Sequence, residues 1–178
     1  ALRLEATQQT LPMERQANGY WTLTQPRLAL GTRYRFVVDG TAYPDPASRW
    51  QPDGVHGASA ICEPSKVQSP GWRGVTIEDA IIYELHLGTF TPEGTLAAAQ
   101  AKLPHLQALG ITVIELLPLA AFPGERNWGY DGTYLFALHS AYGSYADLPA
   151  FIEAAHALGM AVILDVVYNH FGPEGNYS

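Results

Sequence analysis

Two periodicities divide the chain. Through residues 1–63 apolar and polar positions alternate in short runs: Leu2, Leu4 and Ala6 interleave with polar neighbours, and Tyr20-Trp21-Thr22-Leu23 resumes the alternation after an Asn18-Gly19 turn signal. Tyr34-Arg35-Phe36-Val37-Val38 then meets Asp39-Gly40 and continues as Thr41-Ala42-Tyr43, a hairpin by its turn chemistry. Pro44-Asp45-Pro46 and Gln51-Pro52-Asp53-Gly54 punctuate the rest of this half, and no segment before residue 63 has helical period. The pattern predicts a small β-sandwich over 1–63. Its opening on an alternating Leu-Arg-Leu-Glu run predicts a start inside a strand, with the first strand or strands of the sandwich lacking.

Residues 64–75, with Pro64, Ser65, Ser69, Pro70, Gly71 and Gly74, have the composition of a linker. From residue 76 to 178 the pattern is different. Ile81-Ile82-Tyr83-Glu84-Leu85 reads as a strand, and Leu96, Ala99, Leu103, Leu106 and Leu109 repeat at helical spacing up to Gly110, with Pro104 placed to kink or split that helix. Ile111 to Leu117 is a second strand closed by Pro118, followed by a long connection rich in glycine and aromatics. Leu148, Phe151, Ile152, Ala155 and Leu158 share one face of a second helix, with Ser144 or Asp147 as start signal and Gly159 past its end; Met160 to Val167 is a third strand. Strand, helix, strand, helix, strand is the order of crossover units on a parallel sheet, open or closed into a barrel.

Composition narrows the partners. A net charge of −7 with no Lys/Arg run argues against nucleic acid, whose phosphates require a basic face. No apolar stretch is long enough to span a bilayer. The single cysteine, Cys62, beside Ile61 in a β-like stretch, is expected to be a buried, inert thiol, and a reducing, cytoplasmic setting fits.

In sheets of parallel strands ligands bind at the carboxyl ends. Three segments fall there. His86 leaves the first strand, where a lone histidine is more often a hydrogen-bonded structural residue. Phe122 to Gly132 contains Trp128-Gly129-Tyr130-Asp131, an aromatic pair beside a carboxylate that suits a sugar ring and its hydroxyls, although loop aromatics also serve simply to anchor a loop. Asp165, inside an apolar run, needs a hydrogen-bonding partner, and with Asn169 and His170 it forms a polar cluster at the end of the third strand. Asp165 and Asn169 would suit calcium, whereas His170 would not, and no metal or other cofactor is assigned. A polysaccharide-acting enzyme and a non-catalytic glycan-binding module both fit these residues.

Asp165-Val-Val-Tyr-Asn169-His170 resembles the first of the short sequence regions of the α-amylase superfamily, glycoside hydrolase family 13. Tyr83-Glu-Leu-His-Leu-Gly-Thr-Phe90 and Asn127-Trp-Gly-Tyr-Asp-Gly132 resemble its first barrel strand and the loop after its second. Pro44-Asp-Pro-Ala-Ser-Arg49 and Gln51-Pro-Asp-Gly-Val-His-Gly57 are similar to the immunoglobulin-like β-sandwich of its branching, debranching and trehalose-releasing members. Asn169 before His170, where branching members typically carry glycine, favours the trehalose-releasing ones.

The resemblance implies the first three β/α units of a (β/α)8 barrel at 76–178. It also implies a retaining hydrolysis in trehalose biosynthesis, with maltooligosyl trehalose or a related α-1,4-glucan as partner. Such chemistry uses two carboxyl groups about 5 Å apart. In the family the nucleophilic Asp follows strand four, the acid/base Glu strand five and a third Asp strand seven, positions expected beyond Ser178. No catalytic residue is therefore assigned, and the chain alone is expected to be inactive. The resemblance makes His170 a hydrogen-bond partner of the sugar, Tyr130 the platform beneath it and Asp165 the carboxylate that orders the site; Trp128 and Asp131 complete the substrate-binding set.

Overall fold

The computed structural model describes residues 1–64 and 66–177. Ser65, within the expected linker, and Ser178, the expected limit of the barrel segment, lie outside the described residues.

The alternating half forms strands β1 (Leu2–Leu4), β2 (Gln9–Leu11), β3 (Glu14–Arg15), β4 (Trp21–Thr22), β5 (Arg33–Val38), β6 (Thr41–Tyr43) and β7 (Ser59–Ala60). Antiparallel pairing gives a sheet of order β2-β1-β5-β6, with β7 also on β5, and a separate β3-β4 ribbon. Asp39 (φ 49°) and Gly40 (φ 82°) turn β5 into β6, which matches the two-residue hairpin that Asp-Gly favours. Glu14↔Thr22 pairing closes the ribbon around Asn18-Gly19.

The second half contains β8 (Ile82–Leu85), β9 (Val113–Leu116) and β12 (Ala161–Leu164), all parallel and in the order β12-β9-β8. Ile82, Val113 and Ala161 share one register level, and Leu85, Leu116 and Leu164 another. Helices α2 (Leu96–Gln100), α3 (Leu103–Ala108) and α4 (Asp147–Ala157) join the strands. Pro104 splits the expected single helix: it lacks the amide that a continuous helix would use, and it sits in the first turn of α3, where no such donor is needed. At the start of α4 the two expected signals cooperate, since Asp147 accepts hydrogen bonds from the Ser144 amide at 2.6 Å and the Ser144 hydroxyl at 2.9 Å.

Leu96, Ala99, Leu103 and Leu106 from α2 and α3, and Phe151 and Ala155 from α4, pack with Leu85, Ile114, Leu116 and Met160 in one buried core. Each large apolar side chain among them contributes about 1.5–3 kcal/mol by leaving water, so the helical periodicity is the energetic basis of this half.

Two features depart from the expected pattern. A four-residue helix, α1 (Leu87–Phe90), follows β8 directly. The long connection after β9 is partly ordered as a hairpin, β10 (Ala120–Ala121) and β11 (Tyr134–Leu138). The edges of the parallel sheet are apolar and open, with Ile82, Tyr83, Ile163 and Leu164 exposed.

Candidate functional site

The carboxyl ends of β9 and β12 bring the expected polar groups together. Asp165 extends the ladder by donating its amide to the Leu116 carbonyl at 2.9 Å, and its carboxylate accepts from the Tyr130 hydroxyl at 3.2 Å. His170 places Nε2 2.9 Å from the Tyr130 carbonyl and Nδ1 3.1 Å from Asn169 Oδ1. Tyr130, Asp165, Asn169 and His170 thus form one cluster from positions up to 40 residues apart. Loss of solvent, the charge and hydrogen bond of Asp165, and the charges of Glu84 and Glu115 push the Tyr130 hydroxyl above its ordinary value. It stays protonated at neutral pH and donates.

Gly129 and Gly172 explain why Tyr130 stands where it does. Gly129 (φ +102°) lies so close under the preceding strand end that a Cβ would meet the Pro118 carbonyl at 2.4 Å. Gly172 donates its amide to the Gly132 carbonyl at 3.0 Å and leaves no room for a Cβ, which would sit 2.1 Å from the Asp131 carbonyl. The loop that carries Tyr130 and the loop that carries His170 are therefore held in backbone contact.

The side chains of Trp128 and Asp131 find other partners in and around the same loop. Asp131 accepts from Asn127 Nδ2 at 2.7 Å, and Asn127 Oδ1 accepts from the Gly129 amide at 2.8 Å. Trp128 is 68% exposed and tilted against the His86 ring at 5.4 Å. It borders an open groove with His86, Glu125, Arg126 and Tyr142. His86 is tied by Nε2 to the Asn127 carbonyl at 2.8 Å and by Nδ1 to the Thr89 hydroxyl at 3.2 Å, which links the end of β8 to the loop. Cys62 is half-buried, and burial raises its thiol above the usual range, which leaves it a poor nucleophile.

Sequence reasoning overlooked Asn127 as the brace of the aromatic loop and Gly172 as the joint between loops. Asn127 lies in a recognisable motif, but a contact 40 residues away in sequence, as between Gly172 and Gly132, leaves no local signal. Among the described residues no group of three or more His, Cys, Asp or Glu side chains could hold a metal ion.

A polar cluster of Asp, Asn, His and Tyr at the carboxyl ends of parallel strands, on a sheet joined by packed helices, defines a class that comparison identifies directly. The α-amylase catalytic-domain model matches residues 42–178, and the chain belongs to that family. Among curated relatives, the malto-oligosyltrehalose trehalohydrolase of Saccharolobus solfataricus is 50% identical over 93% of this chain, and that of Deinococcus radiodurans 48% over 99%. The chain spans about 30% of the length of these relatives. The crystal structure of a candidate α-amylase from Salmonella typhimurium superposes with a TM-score of 0.92 at 52% identity, covering 99% of this chain and 30% of that one. A group B Streptococcus pullulanase in complex with maltotetraose has a TM-score of 0.74 at 27% identity, covering 96% and 30%.

Proposed function

We propose that this chain is the substrate-gripping part of a cytoplasmic, retaining glycoside hydrolase that releases trehalose from maltooligosyl trehalose. Tyr130 lies beneath the sugar, His170 hydrogen-bonds it in exchange for one of its present ring contacts, Asp165 fixes the Tyr130 hydroxyl, and Trp128 and Asp131 extend the contact surface. The observation that carries this reading is the joining of Tyr130, Asp165 and His170 across two strand ends. The likeness to trehalohydrolases along nearly the whole chain supports the substrate, and the maltotetraose held by the similar pullulanase supports an α-glucan in general. Neither carboxyl group of the retaining mechanism is assigned to a residue of this chain.

The same reading takes the three parallel strands as the first three of a (β/α)8 barrel, whose later strands would cover the exposed edges beside Ile82 and Ile163. It takes residues 1–63 as an immunoglobulin-like sandwich, 64–75 as linker and 76–178 as barrel. The test is to supply the full-length gene product with maltooligosyl trehalose and with linear maltooligosaccharides. Trehalose release, lost in Tyr130→Ala, is the expected result. New α-1,6 branches without trehalose would overturn it in favour of a branching enzyme, and glucan binding without turnover would make it a binding module.

A further inference from the structure

The Gln51-Pro-Asp-Gly-Val-His-Gly57 turn has no part in the reading above, yet it touches the loop that carries His170 and the start of β11, where the loop that carries Tyr130 ends. Val55 is 3% exposed, and its carbonyl accepts from the Tyr134 hydroxyl at 2.8 Å. Tyr134, 1% exposed, closes the segment that begins at Tyr130. On its other side Val55 meets Gly175, where a Cβ would lie 2.5 Å from Val55 Cγ2 and where φ is +79°. Next to it, His56 places Nδ1 2.6 Å from the Tyr177 hydroxyl and Nε2 3.0 Å from Glu174 Oε1. Arg35 fixes that residue in turn by donating to the His56 carbonyl at 3.0 Å. Glu174 and Tyr177 continue the loop that carries His170.

Neither loop has regular secondary structure over 122–133 or 165–177, and the backbone bonds of Asp165 to Leu116, Thr133 to Ala121 and Gly172 to Gly132 hold them at only a few points. A sugar that had to order them would bind less well, because the entropy lost in ordering offsets part of the binding energy. Val55 and His56 stand where the two loops converge, outside the polar cluster itself, and belong to the antiparallel half of the chain.

We propose that the 51–57 turn is a bracket that presets the two sugar-facing loops, with Val55 and His56 as positioning residues acting through His170 and Tyr130. The kinetic test rests on the trehalohydrolase reading. In the full-length gene product, His56→Ala lowers kcat/KM on maltooligosyl trehalose about tenfold, and His56→Gln, which keeps a donor and an acceptor, recovers most of it. In a His170→Ala background the same His56→Ala step changes kcat/KM less than about twofold, because the group it positions is gone. Unchanged kinetics in His56→Ala, or an equal loss in both backgrounds, overturns the bracket. A second readout needs no turnover: the ring nitrogen NMR signals of His170 shift in His56→Ala and stay in place in His105→Ala, a control on α3. A product inactive on maltooligosyl trehalose refutes the functional reading alone, and unmoved His170 signals overturn the bracket alone.

Discussion

His139 provides the sharpest quantitative test of this fold. The ring is 2% exposed, stacked on Phe122 at 3.6 Å between centroids, with Tyr142 edge-on at 5.4 Å. Its Nδ1 accepts from the Phe122 amide at 3.4 Å, which a protonated ring could not do. Burial lowers its pKa from 6.5 to about 4. Folding therefore holds the neutral form, while the unfolded chain takes up a proton below pH 6.5. The associated stability is complete above pH 6.5, declines as pH falls from 6.5 to 4, and is flat below. Over that window the loss is at most about 3.5 kcal/mol, at about 1.4 kcal/mol per pH unit. With so little of the ring exposed, solvent screening reduces this only slightly. The assay is urea denaturation of the full-length protein at pH 7, 5.5 and 4.5, followed by tryptophan fluorescence, for wild type and His139→Asn. Asn keeps an acceptor near Nδ1 but cannot titrate. The variant is less stable at pH 7, and the gap narrows by about 2–3 kcal/mol at pH 4.5. Parallel curves for the two proteins would refute the burial of a neutral histidine.

Other perturbations test other joints. Gly172→Ala forces a methyl into the space of the Asp131 carbonyl, 2.1 Å away, and breaks the Gly172–Gly132 hydrogen bond. Glucan affinity or turnover should fall about a hundredfold, as expected for a misplacement of about 1 Å, with a smaller loss in melting temperature; unchanged kinetics would show that the loops need no joint. Tyr134→Phe orphans the buried Val55 carbonyl and costs about 1–3 kcal/mol in chemical denaturation. Phe151→Ala, at a wholly buried position on α4, costs about 3–5 kcal/mol in the same assay, with Phe151→Leu losing less than half as much.

The elements were readable wherever a local rule decided them. Leu148, Phe151, Ala155 and Leu158 mark α4 by spacing, Pro104 marks the break before α3, and Asp39-Gly40 marks the tightest hairpin. The ends were less readable: the second and third strands are Val113–Leu116 and Ala161–Leu164, shorter than the apolar runs around them. Ile111, Leu117 and Met160 continue those runs because apolar residues flanking a strand still pack against loops and helices, whereas Val166 beyond the third strand is 49% exposed. The short helix Leu87–Phe90 and the hairpin within the long connection gave no periodic signal, being too brief to complete a period.

For the site, the sequence placed Asp165, Asn169 and His170 together because they adjoin one strand end, and it flagged Tyr130 for its aromatic ring beside a carboxylate. It did not separate Tyr130, in the cluster with Asp165, from Trp128 and Asp131, which face His86 and Asn127. That separation depends on the backbone path at Gly129, set by the Pro118 carbonyl above it.

Residue spacing and turn chemistry by themselves determined the longer strands and helices and the Asp39-Gly40 hairpin, since hydrophobic burial and glycine conformations act within a few neighbours. Only the tertiary structure decided that Tyr130 meets Asp165, that Gly172 locks one loop to the other, and that Val55 and His56 reach the second loop and the strand that follows the first. Those contacts join positions 35 to 121 residues apart. Nothing in a short window of sequence records them, because they arise from where the packed sheets and helices leave the loop ends in space.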